Sequence, residues 1–195
     1  MNPFDTNIIL WLNGQAGKFQ VFDDLMRIIA SDYLMPLVFS AAMLALWFAG
    51  RTRRERFRFQ MAMLIGISAI GISNLLVMLL NLAWDRPRPF VHLGDELTLL
   101  FYPPTDPSFP ANPVAIGFAA GAAAWMVNRK LGIALFMAAA VYGFSRVYAG
   151  VFYPTDIIGG AAVGVAATWL TAFLGRVLQP IPALAIRLAR AFALG

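Results

Sequence analysis

The stretch Ser145-Arg146-Val147-Tyr148-Ala149-Gly150-Val151-Phe152-Tyr153-Pro154-Thr155-Asp156 decides how this chain is read. An arginine and an aspartate frame a hydrophobic run where two apolar helical segments meet. Charges in such a setting are costly, so each needs a partner or a purpose.

Outward from this corner the chain is apolar. Of its 195 residues, 60% are hydrophobic and 13% are charged, and the mean hydropathy is +0.70. A soluble domain carries about 25% charged residues. That deficit and several long apolar runs predict an all-α membrane protein. The chain has no cysteine, which excludes disulfides, thiol catalysis and thiolate metal sites. The pI near 10.1 does not argue for a nucleic-acid partner, because the basic residues separate by membrane side rather than gathering on one face. The opening MNPFDTN has no basic region, so no cleaved signal peptide is expected.

The pattern predicts a polytopic bundle of about five transmembrane helices behind amphipathic N-terminal segments, in one integral membrane domain. Residues 1–31 hold two interfacial segments, 4–14 and 19–31. Residues 32–175 hold the bundle, with spans near 33–50, 59–83, 113–127, 131–149 and 156–175. Residues 176–195 form an amphipathic tail with Arg187 and Arg190 three apart. RTRRERFR, residues 51–58, is a loop or helix extension. Residues 84–112 are a long polar segment with six prolines. Gly117–Gly121 and Gly160–Gly164 allow close helix packing. Four spans with one buried, non-spanning helix is the alternative.

Five spans place Arg51, Arg53, Arg54, Arg56, Arg58, Arg129, Lys130, Arg176, Arg187 and Arg190 on one side with a single acid, Glu55. Positive residues favour the cytoplasmic side. The expectation is a prokaryotic inner-membrane protein with its C-terminus inside and its N-terminus outside. Three polar places then face outward together: Asp85–Pro89, Pro107–Asn112 and Ser145–Asp156. Arginines from separate segments suit an anionic headgroup.

In order and spacing these places resemble the type 2 phosphatidic acid phosphatase superfamily, which includes bacterial undecaprenyl-diphosphate phosphatases. The family pattern is Lys-x6-Arg-Pro, then Pro-Ser-Gly-His, then Ser-Arg-x5-His-x3-Asp. The first falls on Asn81 to Arg88-Pro89, the second on Pro110-Ala111-Asn112-Pro113, the third on Ser145-Arg146, Phe152 and Asp156. The resemblance implies phosphate-holding arginines at Arg88 and Arg146, an orienting aspartate at Asp156, and an attacking histidine where Phe152 stands. It implies a lysine where Asn81 stands and Ser-Gly-His where Ala111, Asn112 and Pro113 stand.

Those departures remove the attacking group, the leaving-group acid and one charge. The expectation is therefore a catalytically inactive member, without cofactor or metal, that binds a phosphorylated polyprenyl or glycerolipid or serves as accessory subunit of a membrane complex. Arg86, Arg88 and Arg146 are the candidate anion-binding residues. Asp156 is expected to pair with an arginine, Arg146 foremost. A structural ion pair and a retained anion pocket are both open to them. Phe152 could plug the pocket. The lone histidine, His92, is expected to be a solvated loop residue, and Asp95, Glu96 and Asp106 solvated acids. An active lipid phosphatase using His92, or a lipid-phosphate carrier, are the alternatives.

Overall fold

The computed structural model describes residues 2–191, apart from the side chains of 185 and 189–191. The Arg190 side chain and residues 192–195 of the expected tail lie outside the described residues. The described residues form helices joined by loops, with no strand among the described residues. Helix α1 (Pro3–Asn13) starts where the Asn2 side chain accepts the Phe4 N–H and proline takes the first helical position. Helix α2 (Gln20–Ala30) and α3 (Leu34–Phe48) meet at a 49° bend. Helix α4 (Arg53–Ala83) opens on a reciprocal cap between Thr52 and Glu55. Most of the arginine-rich 51–58 run is thus helix extension. Its charges continue α4 beyond the apolar part rather than breaking it.

The 84–112 segment is more ordered than a long loop. It contains the short helix α5 (Pro89–Leu93) and a 3-10 turn at Gly94–Glu96. Helix α6 (Asn112–Trp125) follows, then α7 (Arg129–Tyr148), capped where Asn128 accepts the Leu131 N–H. Helix α8 (Pro154–Val177) and α9 (Ile181–Ala191) follow, the last among the described residues.

Helix α6 is the axis of the bundle. It packs on α3, α4, α7 and α8, and Val114, Ala115, Ala119, Ala120, Ala123 and Ala124 are buried. A Cβ at Gly160 or Gly164 of α8 would stand 2.4 or 2.2 Å from the carbonyl oxygen of Ala111 or Ala115. The backbones of α6 and α8 therefore touch, as small residues permit. Gly117 and Gly121 face elsewhere, toward Phe39, Ala139 and Phe136. The two glycine pairs serve different helix contacts.

Five helices correspond to the five expected spans, but they differ in length. Only α4, α7 and α8 are long and apolar enough to cross a membrane among the described residues, or four spans if bent α2–α3 counts as one. Helix α6, with 14 residues, is about 21 Å long, short of a hydrocarbon core of about 30 Å. Surrounded by other helices, it does not have its length set by lipid. By length and composition the candidate spans thus number three or four, and the four-span alternative with a buried, non-spanning helix matches the upper count.

Helix α1 does more than rest on a surface. Asn13 is buried at its end. Its amide donates to the carbonyls of Thr98 and Tyr148, both at 2.8 Å, and its Oδ1 accepts the Thr98 N–H. This ties the N-terminus to the α7–α8 corner, where Gly150 takes φ +83°, a conformation that favours glycine.

Candidate functional site

The three polar segments meet at one end of the bundle. The N–H of Ala111 donates to the Asp156 carbonyl at 3.0 Å, and Ser108 N–H donates to the Arg86 carbonyl at 2.9 Å. The second segment is thereby hydrogen-bonded to both others.

Asp156 occupies the third position of α8. Its Oδ2 turns back to accept the Tyr153 N–H at 2.8 Å, which satisfies an otherwise orphaned donor at the helix start. Its Oδ1 accepts from Arg86 at 2.5 Å. The other Arg86 nitrogen donates to Asp5 at 2.7 Å. Asp5 also accepts from the Thr155 backbone and hydroxyl, at 3.0 and 2.6 Å. Both acids are buried. The expected pairing of Asp156 with Arg146 is corrected: Asp156 pairs with Arg86. Capping Tyr153 aims the carboxylate at the 84–88 segment, whereas Arg146 leaves the last turn of α7 toward the α2–α3 bend.

Arg146 pairs there with Asp32 and donates to the Tyr142 hydroxyl at 2.8 Å. Its guanidinium lies 4.2 Å from the Phe101 ring centre. Arg88 donates to the Asp106 carbonyl at 2.8 Å and the Val151 carbonyl at 3.0 Å, and pairs with the Asp106 carboxylate at 3.0 Å. It stacks 4.4 Å from the Phe152 ring centre, a cation–π distance. Burial pulls the Arg88 pKa below its ordinary value, and Asp106 opposes that shift. The hydrogen bond to Asp32 pushes the Tyr102 hydroxyl pKa upward.

Arg88 and Arg146 line one cavity of about 240 Å³ together with Asp32, Asp106, Asn112, Pro113 and Phe152. Two buried polar atoms on this wall, Arg146 Nε and Asn112 Oδ1, have no hydrogen-bond partner. Asn81, whose Oδ1 is likewise buried and unpartnered, lines an adjoining cavity that shares Asn112 and Asp106. Ala111 is buried and packs with Phe152. Of the motif positions, Arg88, Asn112, Pro113, Arg146 and Phe152 line the first cavity and Asn81 the adjoining one, whereas Asp156 lines neither and is held by Arg86.

Arg86, the third candidate anion-binding arginine, stands apart from Arg88 and Arg146. It lines a different cavity, of about 460 Å³, with Asp5, Trp84, His92, Phe109 and Tyr153. His92 sits exposed on α5 rather than in a structureless loop. It does not line the cavity of Arg88 and Arg146. No cluster of three metal-ligating side chains occurs among the described residues.

No pattern in the sequence singles out Asp5 or Asp32. Each is a lone acid on or beside a short N-terminal helix, and no spacing links Asp5 to Thr155 or Asp32 to Arg146. Their place within apolar segments is the only signal that such acids offer. The loop sequence around Asp106 presents it as a solvated acid. It is 60% exposed yet holds Arg88.

The chain shares this architecture with solved structures. It matches Aquifex aeolicus LpxE at 24% identity with a TM-score of 0.64, covering 86% of this chain and 94% of that one. It matches the first transmembrane PAP2-type phosphatidylglycerolphosphate phosphatase from Bacillus subtilis at 18% identity and a TM-score of 0.63, covering 90% and 86%. In sequence it is 28% identical to undecaprenyl-diphosphatase BcrC of Bacillus subtilis (strain 168), over 92% of this chain and 89% of the relative. It is 24% identical to the bacitracin transport permease protein BcrC of Bacillus licheniformis, over 80% and 72%. The profile of the PAP2 superfamily matches residues 62–177, more than half of the chain and all three polar segments. This chain belongs to the PAP2 superfamily.

Proposed function

We propose that this membrane protein binds the phosphate headgroup of a lipid at Arg88 and Arg146 without hydrolysing it by histidine chemistry. The observation that carries the reading is the cavity wall itself. It presents two arginines, one with an unpartnered Nε, and no histidine. Phe152 and Pro113 stand at the positions where the family resemblance expects the attacking and protonating groups. Neither can take or give a proton, and phosphoryl transfer through a covalent intermediate needs both roles. What remains on the wall suits binding.

The arginines are neutralised by Asp32 and Asp106, whose side chains are 44% and 60% exposed. Such carboxylates exchange readily with water. An incoming phosphate would replace them on Arg88 and Arg146, with bidentate charge-assisted bonds in return. The positive-inside count favours an outward-facing cavity. The accessory-subunit expectation rests on the absent histidines alone and gains no separate support from the fold.

A second reading is hydrolysis of a lipid diphosphate. The relative named undecaprenyl-diphosphatase favours it, and His92 beside Arg86 and Asp5 is the group it would have to use. The test uses purified protein in detergent with undecaprenyl diphosphate as probe. Saturable binding with no phosphate release is expected, and binding falls in Arg146→Ala. Phosphate release that disappears in His92→Ala would overturn the binding-only reading in favour of hydrolysis.

A further inference from the structure

At the other end of α4, away from the arginine cavity, an apolar groove of about 360 Å³ opens between α4, α8 and α9. Met61, Ile65 and Ile72 form one wall, Leu174 and Gly175 the second, and Ile181 the third. The Thr171 hydroxyl, which also borders the groove, donates to the Ala167 carbonyl at 2.7 Å, so it asks for no ligand bond.

The groove has a definite length and a definite end. Residues 61, 65, 68 and 72 follow helical spacing, so the groove runs along one face of α4. From Met61 to Ile72 the rise is about 16 Å, close to half of a hydrocarbon core of about 30 Å. It is one leaflet long. The same face continues at spacings of three and four residues to Arg58 and Arg54. Both are exposed, and neither forms an ion pair among the described residues. Glu55, the acid beside them, is committed to the backbone N–H groups of Arg51 and Thr52. A leaflet-long apolar channel that ends in unpaired cations complements an anionic amphiphile.

We propose that this groove holds one acyl chain of an anionic phospholipid, with the headgroup at Arg58 and Arg54. The site is independent of the arginine cavity and of its reading.

The test is thermal unfolding of the full chain in detergent, with dioleoyl phosphatidylglycerol or dioleoyl phosphatidylcholine added. Near saturation, phosphatidylglycerol should raise the Tm by about 5 °C and phosphatidylcholine much less. Gly175→Leu fills the groove. A Cβ at Gly175 meets nothing within 4 Å, so this variant should fold, and its Tm should ignore both lipids. The double variant Arg54→Gln/Arg58→Gln should lose the preference for phosphatidylglycerol. An equal response of the unaltered protein to both lipids overturns headgroup recognition. A phosphatidylglycerol response that survives in Gly175→Leu overturns the groove as its location. Should Gly175→Leu fail to fold, Ser68→Leu from the facing wall fills the same space, and the same two outcomes apply.

Discussion

Two arginine sites begin two residues apart in sequence, at Arg86 and at Arg88, and they are built differently. Arg86 is closed. Its partners Asp5 and Asp156 are almost fully buried, with side-chain exposures of 2% and 0%. Each acid is also held by a backbone N–H, from Thr155 and Tyr153 respectively. Arg88 and Arg146 are open. Their acids lie on the exposed rim, and one guanidinium nitrogen and one asparagine oxygen on the cavity wall are unpartnered. The difference teaches which ion pair belongs to the frame. A buried acid locked from two sides cannot be traded for a ligand, whereas an exposed one can.

The largest effect should therefore come from Arg86→Leu. Removing one partner of a buried pair leaves an uncompensated charge, at about 3–5 kcal/mol. Here two acids lose the same partner. The expected outcome is a fall in Tm of about 10 °C or more in detergent, or failure to fold. A Tm within a degree or two of the unaltered protein would break the comparison, because Arg86 would then be no more structural than its neighbours.

Arg88→Ala and Arg146→Ala should show the reverse emphasis. Loss of a hydrogen bond to a charged group is worth about 1.5–3 kcal/mol, which is about 10- to 100-fold in affinity for undecaprenyl diphosphate. The Tm should fall less than in Arg86→Leu, since water can reach the abandoned Asp32 and Asp106. Equal melting losses at all three arginines, with binding unchanged, would remove the distinction between frame and pocket.

How much of this could be read in advance follows the same division. The gathering of Asp85–Pro89, Pro107–Asn112 and Ser145–Asp156 at one end was legible, because motif spacing fixes which helix ends must meet. The longer helices were legible to within a few residues except at Arg53, where a Thr52–Glu55 cap carries α4 six residues beyond the apolar run, but short α5 inside the polar 84–112 segment was not. The shortness of α6 was not, because hydropathy treats a helix buried among others and an exposed apolar helix alike. The pairing of charges was not legible either. Arg146 and Asp156 are neighbours in the chain, but a helix-capping hydrogen bond to Tyr153 turns Asp156 away from Arg146. Asp5 and Asp32, the acids on Arg86 and Arg146, come from α1 and the α2–α3 bend, 81 and 114 residues from their arginines. Nothing local marks such a contact.

Asp32→Asn and Asp106→Asn sharpen the comparison from the ligand's side. Each keeps the side chain's shape and removes an anion that competes for the pocket. The expected gain in affinity for undecaprenyl diphosphate is about two- to five-fold, since exposed pairs are worth under about 1 kcal/mol. The Tm should barely move. Weaker binding in both variants would mean that the carboxylates hold the arginines in place rather than compete with the headgroup.

His92→Ala should do the least, and for that reason it separates the two readings most cleanly. His92 is exposed and makes no hydrogen bond or ion pair among the described residues, so its removal should cost within about 0.5 kcal/mol of stability. It borders the cavity of Arg86, not that of Arg88 and Arg146. Headgroup affinity should stay within two-fold of the unaltered protein. A hydrolase that depended on His92 would instead lose phosphate release by orders of magnitude while its Tm stayed the same. A large kinetic effect without a stability effect would move the chemistry into the Arg86 cavity, and with it the view of Arg86 as frame alone.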